Sequence, residues 1–131
     1  MHEAIRTRPT LQRRVLAYYE ALLAQAYHTV ACNALHTVEA RCCRWILSTH
    51  DRLDQDALPL THEFLSEMLG VQRSTVSATL RSLQTSGLIV QRRAEIVVTD
   101  RGGLEQATCE CYSKIRSRFK KLLPGTYTRT E

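Results

Sequence analysis

The segment Thr61 to Gly87 constrains the fold of this chain more than any other. Thr61 can cap a short helix whose Phe64, Leu65, Met68 and Leu69 face inward, and Gly70 supplies the positive φ that a tight turn after a helix requires. Val71 packs the turn. A second helix is predicted over about Arg73 to Thr85, with Val76, Leu80 and Leu83 at i, i+4 and i+7 on its buried side. Its other side carries Arg73, Ser74, Ser77, Ala78 and Arg81. A helix, a short turn with Gly, and a second helix whose outer face is small and polar with flanking arginines suit entry into the DNA major groove, since bulky side chains would hold the backbone out. In isolation the same pattern also fits a plain helical hairpin with a solvated polar face.

The residues that follow favour the first reading. Gly87 ends the second helix, and Leu88 to Arg92 and Glu95 to Thr99 are two runs rich in β-branched residues joined across Arg93-Ala94. Such a hairpin is a wing, and Arg92 and Arg93 at its tip set two cations where a phosphate backbone would pass. Asp100 can cap a last helix in which Leu104, Tyr112, Ile115, Phe119 and Leu122 alternate with Lys114, Arg116, Arg118, Lys120 and Lys121. A solvated face is the commoner reading of that charge run.

Upstream, a helix is expected from about Thr10 to Val30. Leu11, Val15, Tyr18, Leu22, Gln25 and Thr29 follow coiled-coil spacing, and Leu16, Tyr19, Leu23, Ala26 and Val30 form a second stripe beside it. One small domain can hardly cover so wide an apolar surface. A homodimer through this helix is therefore expected, with Leu11, Val15, Tyr18 and Leu22 in the seam. A bend near His36 leads to a helix from Thr37, its N-cap, to about His50, with Val38, Cys42, Trp45, Ile46 and Leu47 toward a core. Asp51 to Asp56 reads as a polar surface loop, and Pro59 ends any helix before it. The fold expected is mainly α with a small β-hairpin: a dimerisation helix in 1–36 and a winged helix-turn-helix domain in 37–131.

Composition limits the alternatives. The 131 residues suit one core, 44% hydrophobic and 24% charged residues indicate a chain that folds in water, and a formal charge of +5 admits a nucleic-acid partner. No run reaches the roughly 18 apolar residues that span a bilayer, and no signal peptide opens the chain, so a cytoplasmic protein without a membrane partner is expected. The five cysteines lack the spacing of a disulfide scaffold and read as reduced core thiols. Cys32, His36, Glu39 and Cys43 would share a face of one unbroken helix as metal ligands, but the bend at Thr37 spoils that alignment. Cys109 and Cys111 point to different sides of a helix. No metal and no cofactor are therefore expected. No phosphate-binding glycine loop, His-Glu-x-x-His or Gly-x-Ser-x-Gly motif is present, and an enzyme is not indicated.

From about Leu11 to Pro124 the chain resembles the C-terminal part of the Crp-Fnr family of bacterial transcription regulators. The resemblance is carried by Ala31-Cys32-Asn33-Ala34-Leu35-His36, Leu60 to Leu65, Met68 to Val76, Leu83-Gln84, Gly87-Leu88-Ile89, Asp100-Arg101 and Cys109 to Tyr112. It implies a dimer held by the first long helix, each winged domain reading half of a near-palindromic operator in double-stranded DNA. Arg73 sits where the family places a guanine-reading arginine, and Gln72 and Thr75 match positions that meet phosphate or bases. Thr61, His62, Ser74, Ser77, Ala78, Arg81, Arg92 and Arg93 complete the candidate DNA face. Ser74 and Ala78 replace charged readers of the best known members, so a different operator is expected. Ala94 stands in the wing turn where relatives often carry Gly. The family's N-terminal β-roll has no counterpart in these residues, and no ligand response is carried over. A second functional class stays open: a protein-interaction module whose long helix pairs with full-length relatives. RNA polymerase is the other protein partner that a regulator of this kind would meet.

Overall fold

Pro9, whose ring presets a helical φ, opens the dominant element α2 (Pro9–Leu35), which follows a short α1 (His2–Thr7). The computed structural model describes residues 2–125 and 127, the side chain of Ile5 excepted. Residues 126 and 128–131 of the expected winged domain lie outside that description. α2 runs five residues past the expected Val30 and stops where His36 turns to extended backbone (φ −111, ψ 155). Thr37 then caps α3 (Val38–Arg52), its hydroxyl accepting from the Ala40 N–H at 3.2 Å. The predicted bend is therefore present, and it lets α3 enter the core while α2 extends away from it.

After α3 the chain forms β1 (Ala57–Leu58), α4 (His62–Leu69), α5 (Arg73–Thr85), β2 (Ile89–Arg92), β3 (Glu95–Val98), α6 (Arg101–Ala107) and α7 (Cys111–Leu122). The hairpin β2–β3 has the expected position, but the sheet has a third strand, in the order β1-β3-β2, with Ala57 opposite Val97 and Leu58 opposite Ile96. Two residues ahead of a Pro give too short an alternation to read as a strand. Leu58 is nonetheless wholly buried, in one core with Cys42, Ile46, Leu47, Leu65, Leu69, Val76, Leu80, Leu83, Ile89, Ile96 and Leu104. Burying each such leucine contributes about 1.5 to 3 kcal/mol, so the positions at i, i+4 and i+7 of α5 lock that helix onto the domain. Phe64 departs from its expected place. It lies at the rim, edge-on to Trp45 with centroids 6.1 Å apart.

The single last helix expected after Asp100 is two helices. Asp100 caps α6, accepting from the Gly103 N–H at 3.0 Å, and Gly103 is needed because a Cβ there would run into the Leu88 side chain and the Asp100 carboxylate. α6 ends at Thr108, in extended backbone (ψ 164), with the Thr108 hydroxyl donating to the Ala40 carbonyl at 3.3 Å. α7 then starts afresh and lies along α2. This corner swings the chain back over the α2–α3 bend.

Asp51, expected in a surface loop, is instead in the last turn of α3 and fully buried. Its carboxylate accepts from Arg101 Nη2 at 2.6 Å, the Tyr112 hydroxyl at 2.6 Å and Arg116 Nη1 at 3.3 Å, so one acid ties α3, α6 and α7 together. Arg116 accordingly leaves the solvated charge run it was assigned to, and Arg118 pairs with Glu20 of α2 at 2.7 Å. Burial, reinforced by the bond to Asp51, pushes the Tyr112 hydroxyl up to about 12 and keeps it a donor. Arg41, also buried, donates to Asn33 Oδ1 and to the Leu69 carbonyl, both at 2.8 Å, fastening α2 to the end of α4.

Candidate nucleic-acid interface

Thr61, exposed, caps α4 by accepting from the Phe64 N–H at 3.1 Å. Gly70 adopts φ 64, ψ 36, the left-handed geometry that ends α4, and Gln72 precedes α5 with its side chain unused as a cap. Val76, Leu80 and Leu83 anchor α5 inward, which leaves Gln72, Arg73, Ser74, Thr75, Ala78 and Arg81 exposed on the outer side, with Ser77 half-buried among them. Among the described residues, Arg73, Arg81 and Arg93 form no ion pair. Their guanidinium groups are free to meet a polyanion.

Two of the expected DNA-facing residues are tied into the scaffold. His62, half-buried on α4, accepts at Nδ1 from the Ser77 hydroxyl (3.0 Å) and donates from Nε2 to Gln91 Oε1 (3.0 Å). The Gln91 N–H in turn donates to Gln84 Oε1 at 2.7 Å. The chain of bonds runs from Ser77 on α5 through His62 on α4 to Gln91 on β2 and back to Gln84 on α5, so His62 sets the angle of the wing against α5. Sequence spacing carries no sign of this, because the three partners lie on three elements.

The wing turn is Arg93-Ala94, between the paired residues Arg92 and Glu95. Ala94 has φ 60, a left-handed conformation that costs an L-residue about 1 to 2 kcal/mol and that Gly would adopt freely. Arg92 and Arg93 are exposed at the tip, Arg92 with only a loose 3.8 Å contact to Glu95.

On α2, Ala21 is buried against Ile115 and Phe119 of α7, and Cys32 against Cys109 and Cys111. Leu16, Tyr19, Leu23, Tyr27, Val30 and Leu35 are 57% to 78% exposed, and Tyr18 and Leu22 of the expected seam are exposed as well. Leu11 and Val15 are half-buried.

A second cluster lies at the α2–α3 bend. The break at His36–Thr37 puts Glu39 and Cys43 on a different helix from Cys32. The corner between α6 and α7, however, carries Cys109 and Cys111 onto that same spot, so the rejected one-helix alignment is replaced by a junction of two distant segments. The ligand atoms of Cys32, His36, Cys109 and Cys111 all lie within 4.8 Å of one another. Cys32 Sγ is 3.4 Å from Cys109 Sγ, and Cys111 Sγ is 3.6 Å from His36 Nδ1. His36 Nε2 donates to Glu110 Oε1 at 3.2 Å. Glu110's own backbone N–H and the His36 ring hold that carboxyl below the usual carboxylate range. Burial pushes the Cys32 thiol up, helped by Cys109, while the charge of the buried Arg44 and a hydrogen bond from it pull the other way.

A helical hairpin bent at an αL glycine, followed by a β-hairpin packed on its second helix, defines a winged helix-turn-helix domain. Residues 40–107, more than half of the chain, match the Crp-like helix-turn-helix domain, and the chain belongs to that family. Solved structures of other proteins share the fold. FixK2 from Bradyrhizobium japonicum superimposes with a TM-score of 0.75 at 21% identity, over 82% of this chain and 57% of its own. A CRP-family transcriptional regulator from Thermus thermophilus does so with a TM-score of 0.61 at 22% identity, over 74% and 51%. The chain therefore spans about half the length of these relatives. No curated protein matches the sequence. Among the described residues no helix is long and apolar enough to cross a membrane.

Proposed function

We propose that the protein is a sequence-specific DNA-binding transcription regulator that binds a near-palindromic operator in double-stranded DNA as a homodimer. The observation that carries this reading is the outer face of α5: Gln72, Arg73, Ser74, Thr75 and Arg81 stand exposed together, none of the arginines is neutralised, and the wing cations sit alongside. α5 enters the major groove, Arg73 reads a guanine edge, and Arg92 and Arg93 contact phosphates. His62 and Ser77 act chiefly by holding the wing to α5. The exposed aromatic and aliphatic residues of α2 pair with a second copy, which spaces two half-sites about one helical turn, or a small multiple of it, apart. The interaction-module reading draws on the same α2 surface but leaves the α5 face unexplained.

Sedimentation and fluorescence anisotropy test the reading together. The intact chain is expected to be dimeric at micromolar concentration, and a Leu22→Glu/Leu23→Glu variant monomeric with weaker DNA binding. Arg93→Ala should weaken binding to all sequences alike and flatten the slope of log affinity against log salt by roughly 0.9 per lost phosphate contact, about twice that for a dimer. A monomeric intact chain would remove the dimer, and an unchanged salt slope would remove the wing contact.

A further inference from the structure

We propose that Cys32, His36, Cys109 and Cys111 form a closed tetrahedral site for a single zinc ion that clamps the end of α2 to the corner between α6 and α7. The donor set is three thiols and one imidazole, the chemistry of a structural zinc site. A tetrahedral zinc with metal–sulfur bonds of about 2.3 Å and metal–nitrogen bonds of about 2.05 Å sets edges of about 3.8 Å between sulfurs and about 3.6 Å between sulfur and nitrogen. The structure has 3.4 Å between Cys32 and Cys109 and 3.6 Å between Cys111 and His36 Nδ1. With every donor atom within 4.8 Å of the others, one ion fits and an iron–sulfur cluster, which sets its cysteines farther apart around several irons, does not.

Two further features point to a metal rather than to packed thiols. His36 donates a hydrogen bond from Nε2 to Glu110, which leaves the Nδ1 lone pair aimed into the cluster, the carboxylate–histidine arrangement that orients a ligating imidazole. Arg44, 1% exposed and beside Cys32, has Nε and Nη2 without hydrogen-bond partners among the described residues. Three thiolates and a neutral imidazole around a doubly charged ion carry a net charge of −1, which a buried guanidinium offsets. The clamp straddles the bend at His36–Thr37, so an occupied site fixes the angle between the long helix and the winged domain. The proposal is independent of DNA binding, because metal content is measured without DNA.

The test uses the intact chain, purified under reducing conditions after growth with zinc, and measures metal per chain by elemental analysis. About one zinc per chain is expected. Cys109→Ser and His36→Ala should lose it, whereas Cys42→Ser, in the core away from the cluster, should keep it. Cobalt exchanged into the site should show tetrahedral bands with thiolate charge transfer. Glu110→Gln, at a side chain 61% exposed, should lower zinc affinity 10- to 100-fold in a competition with a chelator, and this stands even where a cysteine variant fails to fold. Reduced protein that takes up no stoichiometric zinc, an unaltered zinc content in the folded Cys109→Ser variant, or a native Cys32–Cys109 disulfide in place of bound metal would overturn the proposal.

Discussion

Replacing Asp51 by Ala tests how the three helices behind the DNA face are held together. The Asp51 side chain is 1% exposed and accepts from Arg101, Tyr112 and Arg116 at 2.6, 2.6 and 3.3 Å. Truncation removes these bonds and leaves Arg116, 8% exposed at its side chain, without its carboxylate partner. Breaking one side of a buried ion pair costs about 3 to 5 kcal/mol. A chain of 131 residues has an unfolding entropy of about 0.28 kcal/mol/K, so the melting temperature should fall by roughly 11 to 18 °C. Glu20→Ala provides the contrast. That carboxylate is 53% exposed and bonded to the 46% exposed Arg118 at 2.7 Å, and its loss should cost under about 1 kcal/mol. Calorimetry of the two variants side by side is the assay. An Asp51→Ala protein that melts within about 3 °C of the parent, or no difference between the variants, would refute the claim that the buried acid joins α3, α6 and α7.

Ala94→Gly should stabilise the protein, because the left-handed strain it removes, about 1 to 2 kcal/mol, outweighs the unfolded-state freedom it adds, which costs about 0.5 to 1 kcal/mol. Denaturant unfolding should show a net gain of about 0.5 to 1 kcal/mol. Tyr112 binds its proton more tightly folded, at about 12, than unfolded, at about 10, so its contribution is intact below pH 10 and is lost as pH rises through 12. Spectrophotometric titration should show a late tyrosine step that vanishes in Tyr112→Phe.

The helix-turn-helix was legible because each of its signals is local. Thr61 as a cap, Gly70 as a left-handed stop, and Val76, Leu80 and Leu83 on one side of α5 are properties of a few consecutive residues, and the structure has each of them in place. The bend at Thr37 and the hairpin at Arg93-Ala94 were legible for the same reason. What stayed hidden depends on closure between distant segments. Asp51 looked solvated because nothing near it in sequence names Arg101, Tyr112 and Arg116 as its partners, and β1 is too short to show an alternating pattern. Sequence spacing relates Cys32, His36 and Cys43 only along one helix, where the bend rules out a shared face. Only the break at Thr108 brings Cys109 and Cys111 to Cys32 and His36. Of the candidate DNA face, Arg73, Ser74, Thr75, Ala78, Arg81 and the wing arginines emerge exposed, while His62 is bonded to Ser77 and to Gln91 of the wing.

The central claim is that the outer face of α5 reads DNA sequence, with Arg73 as its main reader. Selection of bound sequences from a random duplex pool, carried out with the parent chain and with Arg73→Ala, tests it most directly. The parent should enrich an inverted repeat with a guanine at one position of each half-site. The variant should lose that preference and bind the enriched site about 1 to 3 kcal/mol more weakly. Failure of the parent to enrich any repeat, or an unchanged guanine preference in Arg73→Ala, would contradict the account.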